Sequence, residues 1–158
     1  MRVLVRDKDL SELVESITWS GDSGQVSRKL EFTIAKNGQD PNWPNVTIDE
    51  GDQALLMADD GTCVFGGIIF DIERTASTNQ VRYLAYDLLF YANGSELTKD
   101  YHGTPEDIAR DVCSSLGITP GEMAVTGLLI TNPCVKKTGY QVIQSSYTAA
   151  AWQNGKKY

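Results

Sequence analysis

Between Lys36 and Arg74 the chain carries no basic residue, and beyond Asp111 it carries a single acid, Glu122. A nucleic-acid binder needs a basic stripe to neutralise phosphates, so the first gap weighs against that class. No apolar run approaches the ~18 residues of a membrane-spanning helix. The start, MRVLVRDKDL, turns charged too soon for a signal peptide. Histidine occurs once, at His102, and cysteine three times, at Cys63, Cys113 and Cys134. An odd number of widely spaced cysteines without a C-x-x-C pair excludes a disulfide framework and points to a reducing compartment.

What is present is ordinary in kind and uneven in placement. The 158 residues are 41% apolar and 22% charged, with a formal net charge of −7. That is enough chain for one domain, or for a small domain with an appendage. Residues 1–111 hold 20 acids and 10 bases, whereas residues 112–158 hold one acid and four lysines.

The first ninety residues carry a period of two. Leu30, Phe32 and Ile34 alternate with Lys29, Glu31 and Thr33, which is the pattern of a strand with one dry face. Upstream, Leu13, Ile17 and Trp19 share a parity, with GDSG as the intervening turn. KNGQDPNWPN breaks the pattern with Asn-Gly and two prolines and reads as a loop. ADDGT reads as a hairpin connection between two apolar strands, and Gly66-Gly67 as a bulge or a corner in a curved sheet. STNQ makes a further turn before the strand VRYLAYD. Short meander strands with a glycine kink predict an antiparallel barrel through about Tyr86.

After Asp87 the period changes to 3.6. DLLFYANG predicts a short helical turn ended by Asn93-Gly94. TPEDIARDVCSSLGI predicts a helix over about 105–115, with Thr104 as N-cap, Pro105 at the first position and Asp107 at the third. Ile108, Ala109, Val112, Cys113 and Leu116 form its buried stripe, and Gly117 ends it. Thr138 and Gln141 make a Thr-x-x-Gln capping box for a last helix over about 140–153, with Ile143, Tyr147, Ala150 and Ala151 on its inner face and Gly155 as a left-handed C-cap. The expected class is α+β: a barrel over 1–90, then an α/β segment over 91–158. Lys156, Lys157 and Tyr158 would begin a further strand with nothing to pair with, so the chain is expected to be the front of something longer.

WSGD…SRKLEF, GD…DDGTCVFGGIIFDIE, YDLLFY, GTPEDIARDVCSSLGI and GYQVIQSSYTAAAWQNGKKY together resemble the baseplate hub proteins of contractile phage tails and phage-like particles. The likeness is to the hubs of Gram-positive prophages, and more distantly to the bacteriophage T4 hub and the N-terminal region of type VI secretion spikes. It runs from about Val3 to Tyr158. The resemblance implies a tail-tube-like first barrel, a homotrimer in the full-length protein, and contacts with a tail tube ring on one side and a spike on the other. It implies a place in the virion tail baseplate, after assembly in the bacterial cytoplasm.

No catalytic, cofactor or metal site is expected. A thiolate nucleophile needs a nearby base, but Cys113 falls on an apolar helical stripe, Cys63 beside a hairpin turn, and Cys134 after Pro133 in what reads as a loop. One histidine and dispersed cysteines do not make a zinc set. DEGD and DDGT place acids near glycine without the spacing of a calcium loop. Gly66-Gly67 lacks the helix and Lys-Ser/Thr of a phosphate cradle. A rival reading comes from GTPEDIARDVCSSLGI, which looks like the first helix of small peptidoglycan-binding repeats. That reading needs a second helix and flanking strands within about fifty residues, and it makes the chain a cell-wall-binding module.

The eight acids between Asn37 and Glu73 repel phosphates, whether they line a passage or cover an outer face. Duplex DNA should therefore show no retardation by this chain in about 50 mM salt, where screening is weak; a clear shift would overturn the charge argument.

Overall fold

The computed structural model describes residues 1–21, 27–36, 40, 42–44, 46–74 and 79–158. The GDSG turn at Asp22–Gly24, parts of the KNGQDPNWPN loop, and Ser77 and Thr78 of STNQ lie outside them. Two compact units are present, Met1–Leu88 and Leu89–Tyr158.

The first unit is built from β1 (Arg2–Val5), β2 (Lys8–Asp9), β3 (Val14–Ser20), β4 (Lys29–Ala35), β5 (Gln53–Met57), β6 (Cys63–Arg74) and β7 (Gln80–Asp87). They form one antiparallel sheet in the order β2-β1-β5-β6-β7-β4-β3, a half-barrel with β2 and β3 at its edges. The alternation in β4 sets its centre. Leu30, Phe32 and Ile34 face Ala85, Tyr83 and Val81 of β7, and all six are buried. Phe32 and Tyr83 stack with ring centroids 5.1 Å apart. Val3, Val5, Ala54, Leu56, Phe65 and Ile69 complete the dry face. Each large apolar side chain buried there stabilises the unit by about 1.5–3 kcal/mol.

The β1–β2 hairpin turns on two residues, Arg6 and Asp7, both with positive φ (49° and 64°). Such a turn matches the strand twist but favours Asn or Gly, so here other contacts must hold it. The Arg6 N–H donates to Gln53 O at 3.2 Å, and its guanidinium binds Asp52 and Asp49. The ADDGT connection is a hairpin as expected: Ala58 N–H donates to Thr62 O at 2.8 Å, and Gly61 N–H to Ala58 O at 3.0 Å.

Two expectations are corrected. A bulge between Val14 and Ser16 shifts the parity of β3, so Val14 rather than Leu13 lies opposite Ile34, with Ile17 and Trp19 opposite Phe32 and Leu30. Trp19 faces the core side but stays 43% exposed, because β3 is an edge strand. Gly66-Gly67 is not itself the bulge. Register shifts fall on either side, between Leu56 and Met57 in β5 and between Ile69 and Asp71 in β6, while both glycines pair regularly with Leu55 and Ala54. Gly67 answers a different need. A Cβ there would lie 2.3 Å from Tyr86 O and 2.6 Å from the Phe65 ring.

The second unit comprises α1 (Leu89–Gly94), β8 (Glu96–Gly103), α2 (Pro105–Ser115), β9 (Ile130–Thr138) and α3 (Gly139–Asn154). The helices stand where the change of period put them. Thr104 Oγ1 accepts the Asp107 N–H at 3.3 Å. At α3 the Thr138–Gln141 box is reciprocal, with N–H···O distances of 3.2 and 3.0 Å. Gly155 closes α3 at φ 69°, its N–H donating to Ala151 O.

The antiparallel pair β8–β9 has no counterpart in the sequence pattern. ELTKDYHG buries only Tyr101, and the inward positions of β9 include Asn132. Cys134 accordingly lies in a strand, buried, and not in a loop. Pro133 sits on the outward side of β9, whose free outer edge tolerates a missing N–H. The inner face of α3 is broader than expected. Ala150 is buried as read, Ile143 is half-buried against the core, and Tyr147 and Ala151 are half-buried, but Gly139, Val142 and Ser146 are buried as well. Asn132 draws on that added face: its amide donates to Val142 O at 3.1 Å, Ser145 Oγ at 2.8 Å and Ser146 Oγ at 2.9 Å. A buried amide must be satisfied, and the serines meet that need.

Gly67→Ala should destabilise the first unit by about 1–3 kcal/mol, since backbone rather than a flexible side chain must yield. Gly66→Ala meets only the end of the Leu55 side chain, at 3.3 Å, and should change stability by under about 0.5 kcal/mol. Urea unfolding of the two variants checks this; equal losses would contradict it.

Candidate functional site

The residues that invited a hydrolase reading differ in element and exposure. In β8–β9, His102 pairs with Thr131, and its Nδ1 lies 3.1 Å from Thr131 Oγ1. His102 is exposed, whereas Cys134 faces the core with its thiol 3.7 Å from Leu97 O. Cys113 packs with Ala92 and Ile118, and burial pushes its thiol up from the usual range. Cys63 opens β6 in the other unit, its thiol donating to Phe65 O. Among the described residues no group of three His, Cys, Asp or Glu side chains is placed to hold a metal ion.

The two acidic turns are occupied by the chain's own groups. In DEGD, Asp52 Oδ2 accepts the Asp49 N–H at 2.9 Å while both carboxylates take the Arg6 guanidinium. In DDGT, Asp60 accepts the Thr62 N–H, and Asp59 takes the N-terminal ammonium. Glu73 meets Arg82, which also reaches Glu31. Lys29 and Arg82 together hold the Glu31 carboxyl below the usual carboxylate range. Part of the acid-rich run is thus neutralised from outside the run. Asp40, Glu50 and Asp60 remain exposed and form no ion pair among the described residues.

Sequence reasoning missed Glu106. It sits in the first turn of α2, only 5% exposed, and clamps the segment leading into β9. Its carboxylate accepts from Thr126 N–H at 3.2 Å, Thr126 Oγ1 at 2.8 Å and Gly127 N–H at 3.0 Å. Burial alone would raise its pKa. The Gly127 N–H, its own backbone N–H and both Thr126 donors outweigh that and bring it down to about 2. Tyr147 of α3 fastens the same segment through its hydroxyl to Ala124 O at 2.9 Å. An acid in a helical first turn is too common to have marked the clamp.

The outward side of α3 is the other feature without a sequence signal. Lys137, Gln141, Gln144, Ser145, Thr148, Ala149 and Trp152 line an open groove. Trp152 is 85% exposed. Lys137 Nζ lies 3.3 Å from Asn132 Oδ1 and from Pro133 O. Apart from the lysine, the lining is uncharged and polar, with one exposed aromatic ring.

A family model described as YQBQ-like matches residues 17–158. The chain belongs to the YQBQ-like family. No curated protein sequence matches it. Among solved structures, this YQBQ-like chain is similar to the 43 kDa tail protein of prophage MuSo2 from Shewanella oneidensis, at 13% identity and a TM-score of 0.72, over 95% of this chain and 48% of that one. It is also similar to a tail protein from Neisseria meningitidis MC58, at 19% identity and a TM-score of 0.56, over 72% of this chain and 33% of that one. The YQBQ-like chain therefore spans a third to a half of these proteins and shares their fold over that length.

Because the Glu106 carboxyl titrates near 2 in the fold against an ordinary 4.5, its contribution is complete above about pH 4.5 and is lost as pH falls towards 2. Glu106→Gln should cost about 1–2 kcal/mol at pH 7, the difference between charged and neutral hydrogen bonds. The gap to wild type should narrow by pH 3, as judged by urea unfolding at both pH values. An unchanged gap would show that the clamp does not depend on charge.

Proposed function

We propose that the chain is a structural part of a phage or phage-like tail: the front of a baseplate hub that joins the tail tube to the spike. The observation that carries this reading is the shared fold with the prophage tail protein over 95% of the chain. That match takes in both the half-barrel and the helical unit. The antiparallel half-barrel suits a place in a ring that continues a tube. In the longer protein it forms a homotrimer, placed between the tube ring and the spike in the tail baseplate. It holds no specific nucleic acid and catalyses no reaction. Within the second unit His102 is exposed while Cys113 and Cys134 are buried, which supports the last point.

Deleting the gene from a particle-producing strain should abolish complete tails, with free tubes or baseplate-less particles in negative-stain micrographs. Restoring a tagged copy should place the tag at the tube's end. Normal tails in the deletion strain would sink the reading. Light scattering on the longer protein should give three times the protomer mass, and a monomer at micromolar concentration would remove the hub part of it.

A second reading keeps one specific support. The helix α2 does have flanking antiparallel strands, β8 and β9, within Glu96–Thr138, as a peptidoglycan-binding repeat requires. The second helix, α3, follows both strands. Co-sedimentation with insoluble peptidoglycan separates this reading from the first.

A further inference from the structure

The charges of the chain are unevenly divided between and within its two units. The first unit holds fifteen acids and eight bases, so it carries the whole net charge of −7. The second unit is neutral in sum, but its charges are sorted. Its six acids all lie between Glu96 and Glu122, while residues 130–158 contain four lysines and no acid. None of Lys136, Lys137, Lys156 and Lys157 forms an ion pair among the described residues.

One of them, Lys137, shares a groove with the most exposed large aromatic side chain of the described surface, and Lys156 and Lys157 follow that side chain closely in sequence. Trp152 stands on the outward side of α3, in the groove that Lys137 enters from the end of β9. Between them lie only amides, hydroxyls and one alanine: Gln141, Gln144, Ser145, Thr148 and Ala149. An exposed tryptophan among polar neutral groups and cations, with no acid nearby in sequence, has the composition of an interface centre and rim. The partner must be acidic, since an uncharged or basic one leaves the lysines desolvated without compensation.

We infer that this face of α3 docks on the acidic half-barrel of a second copy of the same chain. This rests on the assembly reading above and supplies it with a contact. Charge complementarity selects the occupant, because the first unit of the same chain carries a net charge of −7 and exposes Asp40, Glu50 and Asp60. The contact pairs unlike surfaces of two copies. Passed on from copy to copy it closes a ring or extends a filament, and exchanged mutually within one pair it closes a two-fold dimer.

The test uses the 158-residue chain with p-benzoyl-phenylalanine in place of Trp152, mixed with an isotope-labelled copy, irradiated, and mapped by mass spectrometry. Cross-links should join residue 152 to half-barrel peptides of the other isotopic copy, and should fall at least tenfold between about 25 mM and about 500 mM salt as screening lengthens its hold. The fully exposed pair Lys156→Glu with Lys157→Glu avoids the Lys137–Asn132 contact, and should lower the yield by a similar factor while circular dichroism stays unchanged. Cross-links confined to the second unit of the neighbour, no intermolecular cross-link, or a yield indifferent to salt would each overturn the inference. The tail reading is judged separately, by the micrographs of the deletion strain.

Discussion

The alternation along β4 is the constraint on which the first unit depends. With Leu30, Phe32 and Ile34 on one side, a slip of one residue in pairing would send all three to solvent. The register with β7 therefore has one acceptable solution, in which Phe32 stacks on Tyr83. Once β4 and β7 are locked, β6 pairs along the other edge of β7, and β5 and β1 follow outward. Gly67 belongs to the same constraint. The sheet curves tightly enough at β6–β7 that only a hydrogen fits beneath Tyr86 O.

The second unit sets buried polar groups beside its apolar clusters. Asn132 ties β9 to α3, and Glu106 ties the start of α2 to the segment before β9. Both are costly if left unpaired and specific when satisfied. Together they fix which side of α3 carries its serines and how the segment at Thr126 and Gly127 is held. With Ser146 facing inward, Gln144, Thr148 and Trp152 are left outside.

The parts of the fold that were legible are those where the signal is local. Period-two burial in β4, the ADDGT hairpin, the Thr104 and Thr138 caps and the Gly155 stop each involve residues within a few positions of one another, and each stands as read. The parts that were not legible involve partners far along the chain. β8 and β9 carry little apolar periodicity, because each is covered on one face only by a few helical side chains, and Asn132 occupies a core position. The bulge in β3 depends on how Val14 and Ile17 meet β4, which their own spacing does not encode.

The same division holds for the candidate surfaces. The charge distribution is a property of the sequence alone: an acid-rich run from Asn37 to Glu73 and an acid-free stretch after Ile130 exist in any fold. So do the absence of a metal-ligand spacing and the isolation of His102. Which acids are neutralised, and which lysines are left over, was decided only by tertiary structure. Arg6 reaches Asp49 and Asp52 because β1 and β5 are neighbours, and Arg82 reaches Glu31 and Glu73 because β4, β7 and β6 lie side by side. Ion pairing falls off over a few ångströms, and separations of nine residues for Arg82–Glu73 and of 43 to 51 for the other three pairs are brought within that range by strand pairing, not by spacing in the chain.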